Sequence, residues 1–317
     1  MDEDDVRSRP PRSTRPRTKD RPDYSNAQSG MVIAVDRGRL TCLVNNERIT
    51  AMKSRELGKN AVVVGDHVGI VGDLSGAEGS LARIVTVEER RNTLTRTVDD
   101  VATIERMIVS NVDVMGIVIA SANPEPRHGF VDRALVVAFD QGITPVIILT
   151  KRDLADASEF LQGYKDLGIP IYETQRGADL TPIHRLLEGK VSVLLGHSGV
   201  GKSTLVNALV TAADRLTGSV NEVTGRGRHT SSSASALQLD DGSGWIIDTP
   251  GVRSFGVAHI KTERVLGAFS EFAEVLAQCP KNCSHNEAEC ALTTWPNFTQ
   301  EQLSRLDSLR RILSGSN

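Results

Sequence analysis

From Met31 to about Val87, apolar and polar residues alternate in short runs broken by Gly, Asn and Asp. The runs Val32–Asp36, Leu40–Val44, Arg48–Met52, His67–Val71 and Leu81–Val87 read as strands with turn residues between them. Five short strands in under 60 residues predict a small closed barrel, an OB-fold first and an SH3-like barrel second. From about Val101 the pattern becomes strand–helix alternation. Val112–Ala120 is an unbroken apolar strand, and Phe130–Gln141 carries its apolar residues at helical spacing. Pro145–Leu149, Val191–Leu195 and Trp245–Ile247 are further buried strands. Apolar strands separated by helices predict a mostly parallel sheet covered on both faces, an α/β fold. From about Lys261 the chain reads as helices around a Cys/His cluster, ending in the amphipathic helix Glu301–Leu313.

Composition adds a tail to this picture. Residues 1–30 are rich in Arg, Pro, Ser and Asp and have no apolar period. They cannot bury enough surface to offset the entropy of ordering, so they read as a disordered basic tail. Behind a net charge of only -3, Arg7, Arg9, Arg12, Arg15, Arg17, Lys19 and Arg21 form a dense positive stretch suited to a phosphate backbone. Aromatics make up only 4% of the 317 residues, too few for a wall of stacking side chains on single-stranded nucleic acid. No run approaches the apolar length of a membrane span or a signal peptide, so a cytoplasmic protein without a membrane partner is expected.

The chemistry begins with Gly196-His197-Ser198-Gly199-Val200-Gly201-Lys202-Ser203, which fits G-x-x-x-x-G-K-[ST] between a strand and a helix opening at Thr204. Glycines let backbone N–H groups turn onto phosphates, Lys202 reaches the outer phosphates, and Ser203 offers a hydroxyl to Mg²⁺. Downstream, Asp248-Thr249-Pro250-Gly251 follows a buried strand, where Asp248 can hold Mg²⁺ through water and the Gly251 N–H can touch the γ-phosphate. Between them, Thr224 to Ser233 combines glycines, hydroxyls, Arg226, Arg228, His229 and Thr230, a composition suited to a switch loop. Val252 occupies the place where a water-positioning glutamine is often found, and His229 is the nearest substitute in sequence.

A phosphate loop alone does not separate ATP from GTP. Thr150-Lys151-Arg152-Asp153, at the end of a buried strand, bears on that choice. A carboxylate there accepts hydrogen bonds from guanine N1 and N2, which adenine cannot offer, while the Lys151 stem covers the base. The motif is short and weak by itself, but it precedes the phosphate loop by about 45 residues. A parallel sheet tolerates such a permutation because every motif stays at the carboxyl end of a strand.

Near the C-terminus, Cys279, Cys283, His285 and Cys290 form C-x₃-C-x-H-x₄-C, a closed ligand set for one structural Zn²⁺. Cys42 stands apart in a predicted strand and reads as a small core residue.

The order T-K-x-D, G-x-S-G-V-G-K-S, G-R-G-x-H-T, D-T-P-G, with a barrel before and a Cys/His cluster after, resembles the circularly permuted GTPases of the ribosome small-subunit-dependent GTPase A family. The resemblance covers about residues 31–317. It implies an OB-fold-like barrel over 31–90, a circularly permuted P-loop GTPase domain over 100–258 and a helical zinc-binding domain over 259–317. Thr150 through Asp153 would then contact guanine, Gly196 through Thr204 the phosphates, and His229 would promote hydrolysis. Thr230 or Ser231 would complete the Mg²⁺ shell, and a second base-side loop would lie near Tyr172-Glu173-Thr174. The family's cysteine spacing is one residue longer at two places, and its switch run is richer in Thr. The activity implied is a Mg²⁺-dependent GTP hydrolase, slow alone and stimulated by the small (30S) ribosomal subunit, binding rRNA and acting as a monomer late in subunit maturation. The alternatives are a nucleotide-dependent RNA-binding module with little turnover and an ATP-dependent transporter or kinase subunit; T-K-x-D disfavours the second.

Overall fold

A computed structural model describes residues 24–36, 38–58, 62–99, 102–210, 234–249, 262–267 and 269–314. The basic stretch from Arg7 to Arg21 lies outside them.

Five strands make the N-terminal barrel: β1 (Gln28–Asp36), β2 (Arg39–Val44), β3 (Glu47–Lys53), β4 (His67–Gly72) and β5 (Ala82–Val87). They pair in the order β1-β2-β3-β5-β4, and β4 returns to β1, which closes the ring. Alternation drives the closure. Val32, Cys42, Ile49, Val68, Ile70 and Ile84 point inward and are wholly buried. Asn45 and Asn46, with φ of 49° and 66°, make the tight turn between β2 and β3 that left-handed backbone allows. Strand β1 starts at Gln28, so residues 28–30 belong to the barrel and not to the tail. Burial pushes the Cys42 thiol up to about 12, in keeping with an inert core residue.

A hairpin of β6 (Thr93–Asp99) and β7 (Ala102–Ser110) follows. The α/β part then runs β8 (Val114–Ala120), α1 (His128–Gln141), β9 (Thr144–Thr150), α2 (Ser158–Asp166), β10 (Ile171–Glu173), α3 (Thr181–Leu187), β11 (Val191–Leu195), α4 (Lys202–Leu209), β12 (Ser235–Gln238) and β13 (Trp245–Asp248). Its strands lie in the order β10-β9-β8-β11-β13-β12. All pairs are parallel except β12 with β13. Every residue of β8 is buried, the signature of a strand covered on both faces. The chain moves outward one way from β8 and the other way from β11, so the sheet reverses direction between these two strands. In open α/β sheets ligands bind outside the carboxyl ends of strands at that reversal.

Barrel and sheet are joined. Ala34 of β1 pairs with Ser235 of β12, and the fully buried Asp66 takes hydrogen bonds from Ser110 (2.7 Å), the Val63 N–H (2.9 Å) and Arg90. Such a satisfied buried carboxylate fixes orientation more than it adds net stability.

The C-terminal segment holds α5 (Thr262–Gly267), α6 (Ala273–Leu276), α7 (Ala291–Thr294) and α8 (Gln300–Ser314). Leu306, Leu309 and Ile312 recur at helical spacing on the buried face of α8, which packs on α1 and α2. No helix among the described residues is long and apolar enough to cross a membrane.

Candidate nucleotide site

Strand β11 delivers the phosphate loop. Its glycines are required by packing and by backbone angle. A Cβ on Gly196 would lie 2.9 Å from the Val118 carbonyl oxygen and 2.9 Å from Val200 Cγ2. Gly199 and Gly201 have φ of 84° and 91°, the region L side chains avoid. Lys202, Ser203 and Thr204 open α4, so the helix's unsatisfied N–H groups and its dipole face the loop. Val200 is buried beneath, and the His197 ring packs on Phe130 of α1 with centroids 4.4 Å apart.

Strand β13 ends at Asp248, whose carboxylate sits 3.0 Å from Lys202 Nζ. The Lys202 ammonium therefore stands beside an oxygen donor of the kind Mg²⁺ takes, with the exposed Ser203 next along the chain in the first turn of α4. Hard oxygen donors beside a lysine ammonium fit that cation.

Strand β9 brings the base motif to the same edge. The Thr150 hydroxyl, on a residue only 6% exposed, lies 3.0 Å from the Ile119 carbonyl and also against the Val200 carbonyl of the phosphate loop. The two motifs, far apart in sequence, thus touch directly. Lys151 has φ of 52°, and its ammonium donates to the Asn123 carbonyl. Beyond it, Arg152, Asp153, Leu154 and Glu173 line an open cleft of about 400 Å³. The Arg152 N–H donates to the Thr174 carbonyl (3.2 Å), and the Thr174 N–H to that of Leu149 (2.8 Å). Main-chain bonds thereby tie the Tyr172-Glu173-Thr174 stretch to the base motif.

Sequence reasoning missed the loop after β8. Ser121 and Asn123 both touch Lys151, and Pro124 lies against Gly199. No motif marks this loop; its only signal was its position after an all-apolar strand. His229, Thr230, Gly251 and the whole stretch from Thr224 to Ser233 lie outside the described residues.

The Cys/His set converges. One ligand atom each from Cys279, Cys283, His285 and Cys290 falls within 4.8 Å of all the others. The Cys279–Cys290 sulfur separation is 3.7 Å, against an edge of about 3.8 Å for a tetrahedron with Zn–S bonds near 2.3 Å. Asn282 and His285, with φ of 62° and 66°, make the bends that turn the ligands inward. Burial pushes the Cys283 thiol up to about 12 and lowers the His285 imidazole. A bound cation would offset that burial cost by drawing the thiols into their anionic form.

A family model described as RsgA GTPase matches residues 87–258. The chain is 36% identical over 264 residues to the small ribosomal subunit biogenesis GTPase RsgA of Pseudomonas aeruginosa, covering 80% of this chain and 76% of that protein. With the protein of the same name from Shewanella oneidensis it shares 37% over 266 residues, covering 80% and 74%. The Ectopseudomonas mendocina relative is 38% identical over 217 residues, and there the chain spans only 63% of the relative's length. Among solved structures, YjeQ from Thermotoga maritima superposes with a TM-score of 0.64 at 25% identity, covering 90% of this chain and 97% of that one. YloQ, described as a circularly permuted GTPase, gives 0.63 at 22% identity over 91% and 96%, a likeness of fold.

Proposed function

The chain belongs to the RsgA GTPase family, and from that footing we propose that it hydrolyses GTP while assisting maturation of the small ribosomal subunit. The observation that carries this reading is the Thr150 hydroxyl bound to the Val200 carbonyl, which sets the T-K-x-D strand end directly against the G-x-x-x-x-G-K-[ST] loop and supports reading them as one site. Asp153 would accept from guanine N1 and N2, with the Lys151 stem on the base. Backbone N–H groups of residues 198–203 and the Lys202 ammonium would hold the phosphates. Ser203 and Asp248 would hold Mg²⁺, which when bound neutralises charge on the transferring phosphoryl group. Val252 cannot orient water, so we assign that task to His229, with Thr230 or Ser231 completing the metal shell in the triphosphate state.

The strand order β1-β2-β3-β5-β4 with closure to β1 supports reading the barrel as an OB-fold. The Cys₃His set supports one structural Zn²⁺ in a helical C-terminal domain. The barrel, the zinc segment and the basic tail would face rRNA, with the chain acting as a cytoplasmic monomer. The boundaries proposed are a barrel to about residue 90, a permuted GTPase domain to about 258, and the zinc domain beyond.

Turnover of GTP with and without purified small subunits tests this reading. Slow hydrolysis alone, several-fold or greater stimulation by subunits, and loss of both with Lys202→Ala are expected. A rate that ignores subunits, or that survives Lys202→Ala, would overturn it.

A further inference from the structure

Lys151 carries the base-recognition loop through a backbone angle that costs a non-glycine residue free energy. Its φ of 52° lies in the left-handed region, where a lysine rarely rests unless its surroundings hold it. Three contacts do so, and two come from one residue. The Ser121 N–H donates to the Thr150 carbonyl at 3.0 Å, and the Ser121 hydroxyl donates to the Lys151 carbonyl. Two residues on, the Asn123 carbonyl accepts from the Lys151 ammonium. The Lys151 carbonyl also accepts from the Leu154 N–H at 2.9 Å, so Ser121 fills its second lone pair and completes the turn that presents Asp153. Ser121 is only 6% exposed, so its hydroxyl is directed mainly at protein partners. The same loop reaches the phosphate side, since a Cβ on Gly199 would meet Pro124 Cδ at 3.7 Å.

We propose that Ser121 is a positioning residue for guanine recognition, its hydroxyl holding Lys151 in the left-handed conformation that aims Asp153 at the base. The inference depends on the GTPase reading for its ligand, but the geometry that carries it is the Ser121–Lys151 contact. A loss of aim at Asp153 has a particular signature. Inosine differs from guanosine only in lacking the 2-amino group, so the ratio of GDP to IDP affinity reports the carboxylate's alignment with that group.

The experiment is a titration of the full chain with GDP and with IDP, for the unaltered protein, Ser121→Ala and Ser121→Thr. Ser121→Ala should weaken GDP binding by about 3- to 10-fold, the range expected for one buried hydrogen bond. IDP binding should change less, so the GDP:IDP ratio falls. Ser121→Thr keeps the hydroxyl and should restore both the affinity and the ratio. An unchanged ratio in Ser121→Ala overturns the proposal, whether or not affinity falls with it. So does an equal loss in Ser121→Thr, provided that variant melts like the unaltered protein. Should Ser121→Ala not fold, Ser121→Cys, slightly larger and a far weaker donor, takes its place: a lowered GDP:IDP ratio is expected there, and a ratio equal to that of the unaltered protein would overturn the proposal. If the unaltered protein shows no preference for GDP over IDP or ADP, the nucleotide reading itself fails, an outcome distinct from failure of Ser121.

Discussion

Thr150 does at the scale of one side chain what the permutation requires of the whole chain. Its single hydroxyl proton is shared between the Ile119 and Val200 carbonyls, so the base motif's first residue binds the next strand and the phosphate loop together. Valine has the same shape and no donor. Thr150→Val leaves two buried carbonyls short of a partner, and a loss of about 1–3 kcal/mol is expected, divided between fold stability and nucleotide affinity. Denaturant unfolding with and without GDP separates the two parts; a variant unchanged in both would show the contact to be idle. Residues of this kind differ in how far the chain discloses them. Gly196, Lys202 and Asp153 belong to spaced motifs whose chemistry dictates residue type. Ser121 and Asn123 act largely through hydrogen bonds to or from the main chain, for which many residue types would serve, and no pattern of letters marks them.

At the scale of elements, apolar runs foretold what burial alone decides. Val191–Leu195 forms β11 over those same residues, and Trp245–Ile247 lengthens by one to include Asp248. Elements that depend on partners were less visible. The short β10 and the four-residue β12 exist because neighbouring edges offer them hydrogen bonds, and short strands carry little period of their own; the longer hairpin strands β6 and β7 form a separate two-stranded sheet by pairing with each other. The terminal helix was legible from its apolar spacing, whereas its partner was not. Arg311 of α8 pairs at 2.8 Å with the buried Asp132 of α1, which also accepts from Tyr164 of α2 at 3.0 Å. His128 contacts the Tyr164 hydroxyl at 2.9 Å. Burial raises the Asp132 carboxyl above its ordinary value, and Arg311 opposes that rise. Arg311→Ala should lift it further. An acid whose folded value exceeds its unfolded one favours the folded state below that window and loses this advantage as pH rises through it. The variant should therefore lose more stability at pH 7.5 than at pH 5. A loss of roughly 2–3 kcal/mol is expected at the higher pH, the modest end because Arg311 is about a third exposed. Equal losses at both values in paired denaturant titrations would contradict that assignment.

For the molecule as a whole, the sheet shows why reordering the chain leaves the site intact. Strands β8, β9 and β10 come first in sequence yet lie beside β11 and β13, with the carboxyl ends of β8, β9, β11 and β13 all at one edge. The order of motifs was legible because each is read locally. How the barrel joins the sheet was not, because the link is the pairing of Ala34 with Ser235 and the ring of partners around Asp66, contacts between residues remote in sequence. Under the proposed function, what would unite these parts is a single guanine nucleotide, with Asp153 at its base and the loop ending in Lys202 at its phosphates. Titration of the protein and of Asp153→Asn with GDP and XDP bears on this most directly, because xanthine replaces the 2-amino donor of guanine with a carbonyl that an amide can serve. The unaltered chain should prefer GDP and Asp153→Asn should prefer XDP, each by at least tenfold; affinities indifferent to that substitution would mean that Asp153 does not meet the base.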